Sequence, residues 1–309
     1  MSHIVIGAGA LGTATAIALR DAGHHVTVLS RSGRPAAPDV GSASVDVRDA
    51  DALRAALREA TTVYQCAMPP YPRWIQEFPA LQTAILDATA DVGADLVIGD
   101  NLYSYGRPTG VLAETSPEAP TTRKGRMRKT MADAALSAHH EGRLRVALCR
   151  PSNYIGPGYA RSDSDLFRPA LEGRPLQILG RSDQPHSFSY VPDVGRAMAG
   201  LGTSETAWGR AWIAPVLAPI TQGELATLVW HAAGQSGTPR LRAFSPIAVR
   251  VIGAFSPLVR ELGEMMYEFT EPFVADSSAI RTALGVASTP LDEAIAASLE
   301  AAAGAKIGA

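Results

Sequence analysis

Residues 4–12 read Ile4-Val5-Ile6-Gly7-Ala8-Gly9-Ala10-Leu11-Gly12: an apolar run, three glycines spaced Gly-x-Gly-x-x-Gly, then an alanine-rich helical stretch. This pattern constrains the fold strongly because each glycine has its own task. Gly7 turns the chain out of a strand. Gly9 lacks a Cβ, so backbone can approach a pyrophosphate, and Gly12 lets the next helix sit against the sheet. The helix start at Ala10 and Leu11 offers unpaired N–H groups and the positive end of a dipole to phosphates. A second apolar run, His25-Val26-Thr27-Val28-Leu29, follows at the distance a βαβ unit needs. The chain is therefore expected to open with a dinucleotide-binding unit.

Strand-like and helix-like runs alternate after this opening. Strands are predicted at Ile4–Ile6, Val26–Leu29, Ala43–Asp46, Thr62–Cys66, Leu96–Gly99 and Leu144–Cys149. Helical patterns lie between them at Ala50–Ala60, Ile75–Val92 and Arg126–His140. Unbroken Val-Ile-Leu runs indicate strands covered on both faces, hence a parallel sheet with crossover helices. The expected class is α/β, a Rossmann-type doubly wound parallel sheet with a smaller, partly interleaved C-terminal substrate domain. Residues 1–155 form the dinucleotide-binding part. Residues 156–185 and 205–309 form the substrate part, where helices are read at Gln222–Ala233 and Leu291–Ala302. The alternating Ser187–Val191 and the helix Asp193–Gly200 place 186–204 back with the first part.

At 309 residues, 46% hydrophobic, 19% charged and net charge −2, the average composition points to no nucleic-acid or membrane partner. Cys66 and Cys149 both lie in apolar runs and read as buried thiols, with no metal-ligand spacing. The longest apolar candidate, Pro246 to Leu262, is broken by Arg250, Pro257 and Arg260 and falls short of a spanning helix. The expectation is a soluble cytoplasmic protein acting on a small molecule.

The residue ending the second strand discriminates NAD from NADP, because a carboxylate there bonds both ribose hydroxyls and repels a 2′-phosphate. Here the strand ends Ser30-Arg31-Ser32-Gly33-Arg34, with no acid. Ser30 can hydrogen-bond. Arg31, with Arg34 as a second cation, matches a phosphate in charge and fork geometry. NADP is expected, with NAD the alternative; solvated loop arginines are the competing reading. Asp46 and Val47 would meet the adenine, unless Asp46 caps the helix near Asp49 or Ala50. Ala67, Met68 and Pro69 end the fourth strand, where small residues let the cofactor backbone pass.

Together with these features, Tyr105-Gly106, Lys129, Arg150-Pro151-Ser152-Asn153-Tyr154-Ile155-Gly156-Pro157-Gly158 and Phe188-Ser189-Tyr190-Val191-Pro192-Asp193-Val194 span most of the chain. The sequence resembles the extended short-chain dehydrogenase/reductase superfamily, in its NAD(P)-dependent epimerase/dehydratase group. The resemblance implies cofactor contacts at Pro151, Asn153 and Lys129. It also implies a serine or threonine four residues before Tyr105 and a tyrosine four residues before Lys129. Those positions hold Asn101 and Gly125, so the usual Tyr-Lys proton donor is missing. A one-residue shift brings up only Lys124 or Arg126.

The remaining catalytic candidates are Asn101, Tyr103, Lys129 and His186. Asn101 can donate its amide to a carbonyl oxygen or simply serve a turn. Tyr103 is the first replacement acid, or packs against Pro69-Pro70-Tyr71; Tyr154 is the second. His186 stands two residues before Phe188, where sugar-nucleotide members carry an arginine for the diphosphate. It can titrate near neutrality, or be a surface or capping group. Met265, Met266, Tyr267, Phe269 and Phe273 either line an apolar pocket or form helix core. The expected function is NADP-linked hydride transfer on a small carbonyl or hydroxyl compound that is not a nucleotide sugar. A catalytically degenerate NADPH sensor or scaffold is the alternative. Ketopantoate reductase is a further resemblance, which Arg150–Gly158 fits poorly. Helices Ile75–Val92 and Arg126–His140 are those this superfamily pairs in homodimers.

Overall fold

The computed structural model describes residues 2–304. Its centre is a seven-stranded parallel sheet of β1 (Ser2–Ile6), β2 (His25–Ser30), β3 (Gly41–Ser44), β4 (Thr62–Gln65), β5 (Asp95–Gly99), β6 (Val146–Arg150) and β7 (Arg210–Ile213). The spatial order is β3-β2-β1-β4-β5-β6-β7. Ile4 of β1 faces Thr27 on one side and Val63 on the other. The order reverses beside β1, so the strand ends of β1 and β4 open the crevice where such sheets bind ligands.

Successive residues of a strand point to opposite faces, and here both faces are covered. Val5, Val28, Tyr64 and Val97 pack on one side against α1 (Ala10–Asp21) and α5 (Val191–Thr203). Ile4, Ile6, Val63, Leu96 and Ile98 pack on the other against α2 (Ala50–Leu57), α3 (Trp74–Asp91) and α4 (Arg123–His140). Close approach of α5 to α1 requires Gly195, where an added Cβ would lie 2.6 Å from the Ala14 carbonyl carbon. A separate core of Ile155, Phe167, Leu176, Leu225, Val229, Ile295 and Leu299 holds the C-terminal layer together.

Two strand expectations change. The third strand ends at Ser44, because Asp46 is drawn into a turn in which its carboxylate accepts from Arg48 N at 3.0 Å. Phe188–Tyr190 pairs in parallel with Asn153–Ile155 in a small sheet of its own. The seventh place in the central sheet goes instead to β7, beside β6. Arg210-Ala211-Trp212-Ile213 is short and begins on an exposed arginine, so it lacks the apolar run that marks a covered strand.

Helix α4 begins three residues before the sequence pattern suggests. The Thr122 hydroxyl accepts from Gly125 N at 2.9 Å and caps it. Pro246–Leu262 resolves into α6 (Pro246–Gly253) and α7 (Pro257–Gly263), capped by Ser245 and Ser256, and a short α8 (Tyr267–Thr270) follows. Among the described residues no helix is long and apolar enough to cross a membrane.

Candidate active site

The glycine turn is built as its spacing requires. Gly7 has φ +111°, and its N–H donates to Leu29 O at 2.8 Å. A Cβ on Gly7 would stand 2.7 Å from Ala67 N, and one on Gly12 only 1.8 Å from Gly7 O. Gly9 is different: nothing lies within 4 Å of an added Cβ, so its bare backbone borders open space. No side chain caps α1, and its first turn carries no acid, so the N–H groups of Ala10, Leu11 and Gly12 face that space. A dinucleotide pyrophosphate fits this cradle.

At the end of β2 the Ser30 hydroxyl accepts from Gly33 N at 3.1 Å. Arg31 and Arg34 are exposed, and neither belongs to an ion pair among the described residues. Asp46 is gripped by Arg48, with Nη2 to Oδ2 at 2.5 Å, and its side-chain hydrogen bonds with Arg48 hold the carboxyl down at about 2. Asp49, not Asp46, caps α2 by accepting from Ala52 N at 3.0 Å. Val47 packs at the edge of the core beside it.

The ends of β1, β4, β5 and β6 surround a cavity of about 170 Å³. Leu11, Ala67, Met68, Asn101, Tyr103, Pro151, Asn153 and Tyr154 all line it, so the structure gathers these predicted residues in one place. Pro69 stands behind, its carbonyl accepting from Trp74 Nε1 at 3.0 Å. Asn101 serves the turn, its Oδ1 accepting from Tyr103 N at 3.0 Å, and the residue lines the cavity. The Tyr103 hydroxyl sits 3.4 Å from that of Tyr71, and burial pushes it well above the usual phenol range. Burial likewise raises Tyr154.

Lys129 is not at this cavity. It lies on the outer side of α4 and pairs with Asp133 at 3.0 Å. Buried Arg128 takes the inward position, and Lys124, one helical turn earlier, is buried on the same side. The inward register is therefore one residue earlier than the Lys129 alignment. Gly125 cannot carry a side chain, since a Cβ would meet Tyr103 O at 2.6 Å. Lys124 Nζ is held by Glu261 and by Glu264 at 2.9 Å, and lies 4.7 Å from the Tyr71 ring centre.

Arg128 donates through Nε to Asp100 Oδ1 at 3.0 Å, and Arg150 donates through Nε to Asp100 Oδ2 at 2.8 Å. Burial alone would raise Asp100, but the two guanidiniums outweigh it and hold the carboxyl below its ordinary range. The Arg128 guanidinium stacks 4.5 Å from the Phe78 ring centre, and its Nη1 is buried without a partner.

His186 lies behind the cavity wall and not on it. It is 2% exposed, nearly parallel to the Phe269 ring at 5.3 Å, and burial lowers its pKa to about 4. Its Nδ1 lies 3.0 Å from Glu268 O, and its Nε2 lies 3.2 Å from Asn153 Nδ2. Neutral imidazole protonated on Nδ1 satisfies both contacts. Asn153 Nδ2 also donates to Glu268 Oε2 at 3.0 Å. Glu268, 1% exposed, lines the cavity, and burial lifts its carboxyl to about 8. Glu268, Arg128 and Asp100 escape a motif-based reading. The available signal was an acid, Glu268, set between the aromatic residues Tyr267 and Phe269. Around it Phe273 lines the cavity, while Met265, Met266 and Tyr267 are core.

The model of the NAD dependent epimerase/dehydratase family matches residues 3–207, and the chain belongs to that family. No curated protein sequence matches the chain. Among solved structures it is similar to MoeE5 in complex with UDP-glucose and NAD (22% identity, TM-score 0.79, 99% of this chain and 100% of that one). It is also similar to the UDP-glucuronic acid 4-epimerase of Bacillus cereus in complex with NAD (18%, 0.78, 99% and 99%). A third is the UDP-glucose 4-epimerase of Thermotoga maritima with UDP-glucose (17%, 0.79, 99% and 100%). At these identities the likeness establishes the Rossmann-type fold, and the ligands are those of the named proteins.

Proposed function

We propose that the chain catalyses NADP-linked hydride transfer on a compact carbonyl or carbinol compound that is not a nucleotide sugar, with Glu268 as proton-transfer group. One observation carries this reading. The cavity beside the glycine cradle holds a buried carboxyl whose Oε1 makes no hydrogen bond among the described residues. The nicotinamide, when bound, supplies or accepts the hydride at the reacting carbon. In the reducing direction Glu268 gives its proton to the carbonyl oxygen, while the Asn101 amide donates a hydrogen bond to it. In the oxidising direction the carboxylate takes the hydroxyl proton. Arg128, which lines the cavity where Lys129 does not, takes the cofactor contact that the resemblance implied for Lys129.

Support for NADP over NAD is the pair of exposed guanidiniums, Arg31 and Arg34, which belong to no ion pair among the described residues, with no carboxylate ending β2. Ser30, Asp46, Val47, Ala67, Met68, Pro69 and Pro151 complete the proposed cofactor contacts. Support against a nucleotide sugar is His186, enclosed and uncharged near neutrality, where a diphosphate needs a cation. The aromatic walls Tyr71, Trp74, Phe78, Tyr159 and Phe273 favour a mostly apolar substrate. We further assign residues 1–155 with 186–204 to cofactor binding and the rest to substrate binding. The α3–α4 face is the candidate for a homodimer, and the cytoplasm the compartment.

The test is incubation with NADPH or NADH and a panel of aryl and alkyl aldehydes and ketones, with UDP-glucose and NAD assayed separately. Protein-dependent NADPH oxidation by a panel member is the expected result; interconversion of UDP-glucose would overturn the substrate assignment. The occlusion of Gly125 and the ion-paired Lys124 favour the second reading, an NADPH sensor without turnover. Tight NADPH binding with no oxidation across the panel would select it.

A further inference from the structure

Eight large hydrophobic residues are exposed among the described residues, and five of them lie between Ile247 and Leu258. They are Ile247 (76%), Val251 (61%), Ile252 (39%), Phe255 (89%) and Leu258 (50%). Ile247, Val251 and Phe255 follow a spacing of four residues, so they form one stripe along α6 into the turn before α7. The other side of the hairpin is anchored. Val249 is buried in a cluster with Leu179 and Met266, and Gly253 brings α7 so close that a Cβ would stand 2.8 Å from Arg260 Cα. Glu261 and Glu264 tie α7 to Lys124 of α4. The outward stripe therefore contributes nothing to closing the fold, and a contiguous exposed apolar patch of this kind marks a contact surface.

Charge says what kind. No aspartate or glutamate occurs between Glu224 and Glu261, while Arg240, Arg242, Arg250 and Arg260 all do. All four are exposed, and none belongs to an ion pair among the described residues. The net charge of −2 averages this basic segment away, which is why composition suggested no membrane partner.

We propose that the α6–α7 hairpin docks on an anionic membrane surface, with Ile247, Val251, Phe255 and Leu258 entering the headgroup boundary and Arg250 and Arg260 meeting lipid phosphates. A projecting hairpin whose turn residue Phe255 is its most exposed side chain suits insertion into an interface better than capture of a peptide in a groove. Apolar contact combined with unpaired arginines matches acidic lipid. Docking also sets the cavity near the surface, since the Lys124 ammonium held by Glu261 lies over the ring of the cavity residue Tyr71.

The experiment is co-sedimentation of the full chain with vesicles of phosphatidylcholine alone, or of equal parts phosphatidylcholine and phosphatidylglycerol. Light scattering on the vesicle-free protein runs beside it. Binding to the anionic vesicles is expected, weakened by salt and largely absent with phosphatidylcholine alone. Phe255→Ser should lower the anionic partition by about tenfold, the loss of one buried aromatic group. Arg250→Ala with Arg260→Ala should lower it while leaving the melting temperature unchanged. These side chains are exposed, so the variants should fold, and circular dichroism checks that they do. Sedimentation unaffected by either variant, or no sedimentation with anionic vesicles, overturns the proposal. A Phe255-dependent dimer without vesicle binding also overturns it, in favour of a second copy of the chain.

Discussion

The Asn153 side-chain amide donates to Glu268 Oε2 at 3.0 Å, joining the start of the small-sheet strand Asn153–Ile155 to the short helix α8, and both residues line the cavity. It is the one hydrogen bond from a protein group to this carboxyl among the described residues, and it does not offset the cost of burial. Glu268 therefore stays largely protonated near neutrality, with a pKa of about 8.

That relationship predicts a pH profile. Carbonyl reduction needs the protonated acid, so turnover should hold steady below about 8 and fall above it. Glu268→Gln should lower turnover by about 10²–10⁴ and leave NADPH binding intact, as read by coenzyme fluorescence. A profile unchanged in the variant removes Glu268 from the reaction.

The same group predicts a stability trend. Its pKa is raised from 4.5 to about 8 on folding, so the folded state holds the proton more tightly than the unfolded chain. Stability from this source is full below 4.5 and declines as pH rises towards 8. Melting temperatures of the wild type should drop across that window relative to Glu268→Gln. Parallel curves would contradict the assignment.

Asp100 is the counter-charge for two buried guanidiniums, Arg128 and Arg150. Asp100→Ala strips Arg128 of its counter-charge and leaves Arg150 with Glu118 alone, and should cost about 3–5 kcal/mol in urea unfolding. Its carboxyl is held below the ordinary range, so its contribution is present at neutral pH and lost on acidification through the lowered value.

The register of α4 separates two neighbouring cations. Lys129→Ala removes a partly exposed pair with Asp133 and should change stability by less than about 0.5 kcal/mol, with no effect on coenzyme affinity. Arg128→Met should weaken coenzyme binding measurably by calorimetry. Gly125→Ala forces a Cβ against the Tyr103 carbonyl and should cost about 1–3 kcal/mol.

Coenzyme choice rests on the loop after β2. Arg31→Ala combined with Arg34→Ala should weaken NADPH binding by about tenfold or more and leave NADH nearly unchanged. Equal losses for both coenzymes would point to a general effect of the loop.

The opening strand, the glycine turn and the covered strands of the sheet were readable from residue order alone, because they depend on local periodicity and on glycines whose roles are set within a few residues. Asn101 and Pro151 were readable for a similar reason: each follows the end of a central strand, and strand ends of a parallel sheet converge; Asn153 stands two residues after Pro151. What the chain order could not settle was rotation. Lys129 and Arg128 differ by one residue, which turns a side chain about 100° around the helix, and the Thr122 cap and the crowding of Gly125 against Tyr103 decide which one faces inward. Glu268 and His186 likewise carry no local signal of which one faces the cavity. Packing between distant segments put one on the cavity and sealed the other behind it, and desolvation then set their charges.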